Sequence, residues 1–419
     1  MKVLYIHQHF ATPSSPGASR AFEFARRLVE AGHDVTVVAG DRHAARGWIR
    51  RDVDNGIQVI WIGVKYDQTM APRRRIASFL RFAVAASVVS LVGEYDVVYA
   101  SSTPLTVVIP GVIASRIHRV PLVFEVRDLW PELPIVMGAL NSRLSIAAAR
   151  ALEWIGYHAS AHVVALSPGI AEGVRKRGYP DEQITVIPNA ADLQLFEQVA
   201  SRRPGQSRLV VYTGAIGRIN GPRYLVDLAV ELLVTDPRAR LKIVGAGAQL
   251  DDLVGYADAT GVLGKNVEFS PPVAKRDLPE VLDEAALCLS VFLPIAEMEA
   301  NSANKFFDYL AAGRPVGINY GGWQDDLVRE SGCGIVLDSD PAAAARQVAL
   351  FLDDVDAQRA AGVSARKLAE TQFSREELAL AQRHILEAVA GAARRRRGKR
   401  RSRDARADAI VNGSIHSPT

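Results

Sequence analysis

Two successive series of short apolar runs, each run separated from the next by a stretch of mostly helical composition, constrain this chain more than any other feature. The first series is Val3–Ile6, Val35–Ala39, Val59–Trp61, Val97–Ala100, Pro121–Glu125, Val163–Leu166 and Ile184–Ile187. The second is Leu209–Thr213, Leu241–Val244, Val267–Phe269, Leu287–Val291, Val316–Ile318 and Ile335–Leu337. Continuous apolar runs of this length are strands buried on both faces, and strands alternating with helices join in parallel through crossover connections. The pattern predicts an α/β protein with two doubly wound parallel sheets, and 419 residues suffice for two full cores. Ser201–Arg208 (SRRPGQSR) is the best linker by composition.

Ligands of such sheets sit beyond the carboxyl ends of the strands. The most informative segment in that position is Glu297–Val316, EMEANSANKFFDYLAAGRPV. Asn301, Ser302 and Asn304 favour a helix N-cap, Gly313 a left-handed C-cap, and Pro315 stops continuation. The short helix between them must be held by packing of Phe306, Phe307 and Leu310. Its free amides at Ser302, Ala303 and Asn304, with Lys305 in the first turn, suit a diphosphate. Asp308 lies three residues on, on the same face, where a carboxylate accepts hydrogen bonds from ribose-like hydroxyls. Glu297 and Glu299 lie on the loop before the helix. A capped helix merely packed on a sheet has the same local pattern.

Other strand-end loops carry further candidates. The loop His7–Arg20 holds TPSSPGASR, where Gly17 permits close backbone approach and Arg20 opens a helix, either as a phosphate or acceptor contact or as a solvated arginine. FEVRDLWPE, Phe124–Glu132, puts Arg127 and Asp128 beside Trp130-Pro131 at a strand end, where loops carry function; a structural salt bridge is the competing reading. In TGAIGRINGPRYLVD, Arg218 offers the fixed fork of donors that suits diphosphate oxygens. Val244-Gly245-Ala246-Gly247 is an incomplete G-x-G-x-x-G and reads better as a tight turn than as a dinucleotide site. Lys275 lies in SPPVAKRDLPEVL after the strand Val267–Phe269. His7 and His9 have no carboxylate or cysteine at ligand spacing, so no metal site is expected.

These motifs resemble those of retaining glycosyltransferases of family 4. The run Ala311-Ala312-Gly313-Arg314-Pro315-Val316 matches that family's A-x-G-x-P-V, and IPNAADLQLF resembles its interdomain crossing. EVRDLWPE and NKFFDYLAAGRP are similar to the subgroup that builds bacterial surface polysaccharides. The family usually places two glutamates eight positions apart; here Asp308 takes the second place and Glu299 lies one residue beyond the first, at Ala300.

The resemblance, which covers residues 1–390, implies the GT-B architecture: two Rossmann-like domains facing a central cleft. It implies an N-terminal acceptor-side domain over 1–187, a donor domain over 188–373, and a helix over 374–392 returning to the first domain. The implied activity is transfer of a hexose-type or N-acetylhexosaminyl residue from a nucleotide-diphosphate sugar, UDP-linked, to a glycan acceptor carried on a polyprenyl diphosphate. Catalytic roles fall on Asp128 and on Glu299 or Glu297. Donor contacts fall on Gly17, Arg218, Lys275, Ser302, Ala303, Asn304, Lys305 and Asp308, and the acceptor side takes Arg20 and Arg127. Ala215 and Asn220 hold the family's usual arginine and lysine places, so Arg218 stands as a substitute. No metal or other cofactor is implied. A nucleotide-sugar epimerase of the same fold and a non-catalytic nucleotide-sugar-binding subunit remain open.

Charge narrows the partners. Residues 394–408 hold nine basic and two acidic side chains, so the rest of the chain, with 41 basic and 44 acidic, carries −3 rather than the overall +4. The folded body is no basic nucleic-acid binder, and residues 393–419 are expected to be an unstructured basic tail. Two cysteines, Cys288 and Cys333, argue against a disulfide scaffold. The opening MKVLYIHQHF lacks a signal-peptide layout, which leads to the expectation of a cytoplasmic body. Arg73–Val92 joins three arginines to an apolar helix too short to cross a bilayer. That helix either lies on an anionic inner-membrane surface or is a core helix with a solvated basic start.

Overall fold

The structure is a computed structural model that describes residues 1–12, 20–42, 48–67, 70–201 and 207–413, with side chains as far as Arg397. The first domain runs β1 (Lys2–Ile6), α1 (Arg20–Glu30), β2 (Asp34–Asp41), β3 (Ile49–Asp54), β4 (Ile57–Gly63), α2 (Pro72–Val89), β5 (Val97–Ser101), α3 (Val108–His118), β6 (Leu122–Val126), α4 (Glu132–Val136), α5 (Arg143–His158), β7 (His162–Ala165), α6 (Pro168–Lys176) and β8 (Ile184–Val186). Its strands form one sheet in the order β3-β4-β2-β1-β5-β6-β7-β8. All thirteen apolar runs become strands, and every pairing between two of them is parallel. The fourteenth strand, β3, pairs antiparallel with β4 through Asn55-Gly56, both at positive φ. Its sequence, IRRDVD, is charged and solvent-exposed as an edge strand should be, which hides it from an apolar-run reading.

A short helix, α7 (Glu197–Ser201), leads to the second domain. There follow β9 (Leu209–Thr213), α8 (Arg223–Thr235), β10 (Arg240–Val244), α9 (Leu250–Ala259), β11 (Val267–Ser270), α10 (Leu278–Leu282), β12 (Ala285–Ser290), α11 (Asn304–Ala311), β13 (Val316–Ile318), α12 (Trp323–Ser331), β14 (Gly334–Val336), α13 (Pro341–Asp353), α14 (Val355–Gln372) and α15 (Arg375–Gly413). The sheet order is β11-β10-β9-β12-β13-β14. Most of the linker expected at Ser201–Arg208 lies outside the described residues.

The chain order reverses between β1 and β5 in one sheet and between β9 and β12 in the other. Loops diverge at such a switch point and open a crevice at the carboxyl ends of the strands. Residues after β1 and β2 line one side of the cleft, and the loops after β9, β10, β11 and β12 the other.

Two stretches cross between the domains side by side, joined by a parallel bridge between Ala191 and Ser374. After the second crossing α15 packs Ala379, Leu386 and Ala390 against Val3, Tyr5 and Tyr99 of the first sheet. Beyond the expected end near 392 the helix continues to Gly413, so the basic run is helical rather than structureless. Arginine and alanine are good helix formers, and the docked first turns supply the nucleus.

Helix α2 has both a buried and an exposed apolar face. Phe79, Phe82, Ala83 and Ala86 are buried, while Ile76, Leu80, Val84 and Val88 form an exposed stripe at intervals of four that continues into Leu91 and Val92. Among the described residues no helix is long and apolar enough to cross a membrane.

Candidate active site

Between the domains lies a cavity of about 710 Å³ lined by Arg20, Arg42, Thr213, Asn220, Lys275, Asn304, Lys305, Asp308 and Arg375, among others. Its floor is the start of α11. Phe306, Phe307 and Leu310 are fully buried and anchor this helix, and Gly313, at φ 60, closes it. Arg314 is also fully buried, donating to the carbonyls of Leu282 at 2.9 Å and Asp283 at 2.7 Å, which fixes the helix end against the start of β12.

The N-terminus of α11 differs from the expected capping. The N-cap is Ala303, and no side chain caps it. Ser302 faces the other domain instead: its hydroxyl accepts from the Asn189 amide at 3.2 Å, and its carbonyl accepts from the Asn189 side chain. The first-turn amides are thus left without a side-chain acceptor beside the cavity lined by Ala303, Asn304 and Lys305, a polarity that favours an anion.

Lys305 donates to the Tyr212 hydroxyl at 2.8 Å and makes no ion pair among the described residues. Burial pushes its pKa down to about 7. Lys275 and Asp308, chosen separately from sequence, form an ion pair. Burial raises the Asp308 pKa, with Lys275 pulling against it. Gly214 lies beside Lys305, where an added Cβ would sit 3.2 Å from the lysine Cε. The Gly245 and Gly247 backbones pass so close to Gly214 and Ile216 that any Cβ would collide with their carbonyl oxygens, so glycine serves a close approach of two backbones here.

Several sequence candidates stand elsewhere. Arg218 is exposed and lines a neighbouring cavity of about 540 Å³ with Gln249, Asp252 and Tyr256. The 3-10 turn Arg218–Asn220, closed by Gly221 at φ 52, instead presents Asn220 to the cleft. Neither Glu297 nor Glu299 lines the central cavity; Glu299 borders a cavity of about 240 Å³ with Asn319, Tyr320 and Asp325. The loop is drawn aside because Ala300 is buried in the first domain's core cluster and its carbonyl accepts from Ser167 Oγ at 2.6 Å. Gly17 lies outside the described residues.

Arg20 lines the cavity but is no free acceptor contact. It pairs with Glu125 at 2.9 Å, donates to the Ile187 carbonyl at 2.9 Å and to the Pro188 carbonyl, and is 2% exposed. Burial would raise the Glu125 pKa, but Arg20, then Arg127, hold it at about 2. Arg20 therefore clamps the first crossing stretch to the first domain. Arg375, which the sequence reading passed over, does the same from the second crossing by pairing with Asp192 at 2.6 Å. Its one legible signal is its place in the first turn after the crossing.

At the end of β6, Asp128 accepts from Thr103 Oγ1 at 2.7 Å, and the Arg127 backbone donates to Ser102 Oγ at 3.0 Å. The Arg127 guanidinium lies 3.4 Å from His7 Nε2, while His7 Nδ1 lies 3.2 Å from the Ser101 carbonyl. Nδ1 therefore carries the proton and Nε2 accepts. Burial, then Arg127, lowers the His7 pKa to about 3. Arg42, at the end of β2, is a further cleft residue missed in the sequence; its signal was its position at a strand end beside the switch point.

Two family models match, one on each sheet domain: a glycosyl transferase 4-like domain over residues 17–190 and a glycosyl transferases group 1 domain over residues 207–354. No curated protein matches the chain in sequence. Among solved structures, Anabaena HepE in complex with UDP and glucose is 17% identical with a TM-score of 0.66, covering 93% of this chain and 100% of its own. Sucrose-phosphate synthase from Thermosynechococcus elongatus is 17% identical with a TM-score of 0.67, covering 93% and 99%. WaaG, a glycosyltransferase involved in lipopolysaccharide biosynthesis, is 18% identical with a TM-score of 0.62, covering 90% and 98%. With a glycosyltransferase model on each of its two sheet domains and this shared two-sheet architecture, the chain belongs to the glycosyltransferases of the GT-B fold.

Proposed function

We propose that the protein transfers a hexose-type residue, with retention, from a UDP-linked sugar bound in the 710 Å³ cleft to a lipid-linked glycan acceptor in surface-polysaccharide synthesis. The observation that carries this reading is the uncapped start of α11 with Lys305 beside it, an amine whose pKa burial lowers to about 7 and that no carboxylate among the described residues neutralises. A diphosphate supplies the missing negative charge. As the bond to the sugar breaks, charge grows on the leaving diphosphate, and preorganised amides and Lys305 stabilise it where it forms. The Lys275–Asp308 pair stands beside the same cavity, where the carboxylate can accept ribose hydroxyls while remaining charge-balanced. In this reading the positive charge comes from protein groups, and neither a metal nor a dedicated base is invoked. Asp128, held by Thr103, orients the acceptor side.

Other proteins of the fold support the donor: HepE was solved with UDP and glucose, and with UDP-glucose. The acceptor rests on the EVRDLWPE and NKFFDYLAAGRP resemblance and on α2, whose exposed apolar stripe begins beside Arg73 and Arg74. From residue 70 to residue 93 the sequence contains no acidic side chain, so the helix suits the anionic inner face of a membrane.

The test is nucleotide release from a panel of UDP- and GDP-sugars, with and without membrane extract, in wild type and Lys305→Ala. Acceptor-dependent release from one donor, reduced by about two orders of magnitude in the variant, is expected from the loss of a leaving-group contact. Interconversion of sugars without acceptor would replace the transferase reading with an epimerase.

A further inference from the structure

Building on the transferase reading above, we propose that one face of α6, made by Gly169, Gly173 and Arg177, sets the Asp128 loop in register with the start of α11. Arg177 and its partner Glu132 are then positioning residues for the reaction, acting through the loop and touching no substrate.

The three residues recur at intervals of four, so they lie on one side of the helix. Each meets a different part of the site. At the start, a Cβ on Gly169 would come within 2.8 Å of the Ala300 Cβ, and the N-cap Ser167 donates to the Ala300 carbonyl at 2.6 Å. One turn on, the bare backbone of Gly173 leaves room for the Leu129 side chain, which any Cβ there would strike. At the end, the C-cap Arg177 pairs with Glu132, the first residue of α4. One helix face thus seats two segments: residue 300, four positions before α11 begins, and residues 129–132, which follow directly on Asp128.

Arg177 is itself held from behind. Its Nε lies 3.0 Å from Glu153 of α5, and the Tyr157 hydroxyl donates to the same carboxylate at 3.1 Å. Burial raises the Glu153 pKa to about 7, with Arg177 pulling against it. A carboxyl buried at that cost adds little net stability; what it does here is fix the guanidinium, whose Nη2 then meets Glu132.

The two seated segments also change places across the domain boundary. Ala300, from the second domain, is buried in the first domain's cluster. Leu133, the residue after Glu132, packs against the second domain's cluster, the one that contains Phe306 and Phe307 of α11. A displacement of α4 is therefore felt at the anchors of the donor helix, and a displacement of the 299–304 segment is felt at α6.

The test uses the full chain with Glu132→Gln, which removes the charge of a partner one-third exposed and leaves the Arg177–Glu153 pair in place, so the variant is expected to fold. Amide hydrogen exchange without ligand is expected to quicken several-fold in both 129–136 and 299–304, with β1 and β10 unchanged. Quickening confined to 129–136, or spread over the whole chain, overturns the proposal, because the first marks a local contact and the second a role in stability alone. In nucleotide release with donor saturating, kcat is expected to fall about tenfold or more with little change in donor KM. Arg177→Gln should show the same loss, and the double variant no further loss. A defect carried by KM alone, or losses that add, overturns the proposal as well. Wild type that releases nucleotide from no donor would sink the transferase reading, while the exchange data still decide whether α6 couples the two segments.

Discussion

Lys305 and Arg20 are both basic residues lining the cleft, yet their surroundings give them opposite work. Lys305 is held by the Tyr212 hydroxyl and lies over the rings of Tyr212 and Phe292, with no carboxylate beside it among the described residues, and burial lowers its pKa to about 7. Binding of a diphosphate restores the charge, and the complex must take up a proton at neutral pH and above. UDP affinity is therefore expected to fall as pH rises above 7, with proton uptake visible calorimetrically in buffers of different ionisation enthalpy. Lys305→Arg should flatten that dependence, because guanidinium stays charged. Arg20 has instead spent its donors on Glu125 and the crossing backbone. Removing it leaves a buried carboxylate unpaired, so Arg20→Ala is expected to cost about 3–5 kcal/mol in denaturant unfolding. Because Glu125 is depressed from 4.5 to about 2, the stability it contributes is fully present above 4.5 and is lost as pH falls toward 2. A mere substrate contact would leave unfolding unchanged. The sequence offered no way to tell these two apart: Arg20 meets its carboxylate 105 residues away.

At the scale of elements, what is legible locally was legible in advance. The strands announce themselves because both faces are buried, and α11 because its anchors and closing Gly-x-Pro lie within one short segment. What escapes is where a loop turns its side chains. The 3-10 turn after β9 points Arg218 away and Asn220 inward, and the segment before α11 sends Ala300, not Glu299, to the domain boundary. That second placement depends on Gly169 at the start of α6, where a Cβ would come within 2.8 Å of the Ala300 Cβ. Gly169→Val is therefore expected to push the 299–304 segment off the first domain and lower kcat/KM. Ser167→Ala, which removes the bond at 2.6 Å to the Ala300 carbonyl together with the N-cap that accepts from the Ile170 amide at 3.1 Å, should cost about 2 kcal/mol of stability, read by denaturant unfolding. For α2, Val84→Glu with Val88→Glu alters only exposed positions. It is expected to reduce flotation with anionic vesicles while leaving UDP affinity intact; unchanged flotation would remove the membrane from the account.

For the whole molecule, two sheets with facing switch points create a cleft that neither domain builds alone. Arg20 and Arg375 clamp the two crossings beside it, and Ser167 and Asn189 bind the loop that leads into α11. On the proposed transferase reading, donor binding and closure of the domains would share these residues, and closure would exclude water from a reaction that competes with hydrolysis. The two-domain plan was readable from the doubled strand series, but the crossing network was not, because every contact in it joins distant parts of the chain. The central claim is that the diphosphate of the donor rests on the start of α11. A crystal structure of the protein with UDP tests it most directly. The account predicts phosphate oxygens within hydrogen-bond distance, about 3 Å, of Lys305 Nζ and the first-turn amides of α11. UDP seated instead in the neighbouring cavity with Arg218, with α11 untouched, would contradict it.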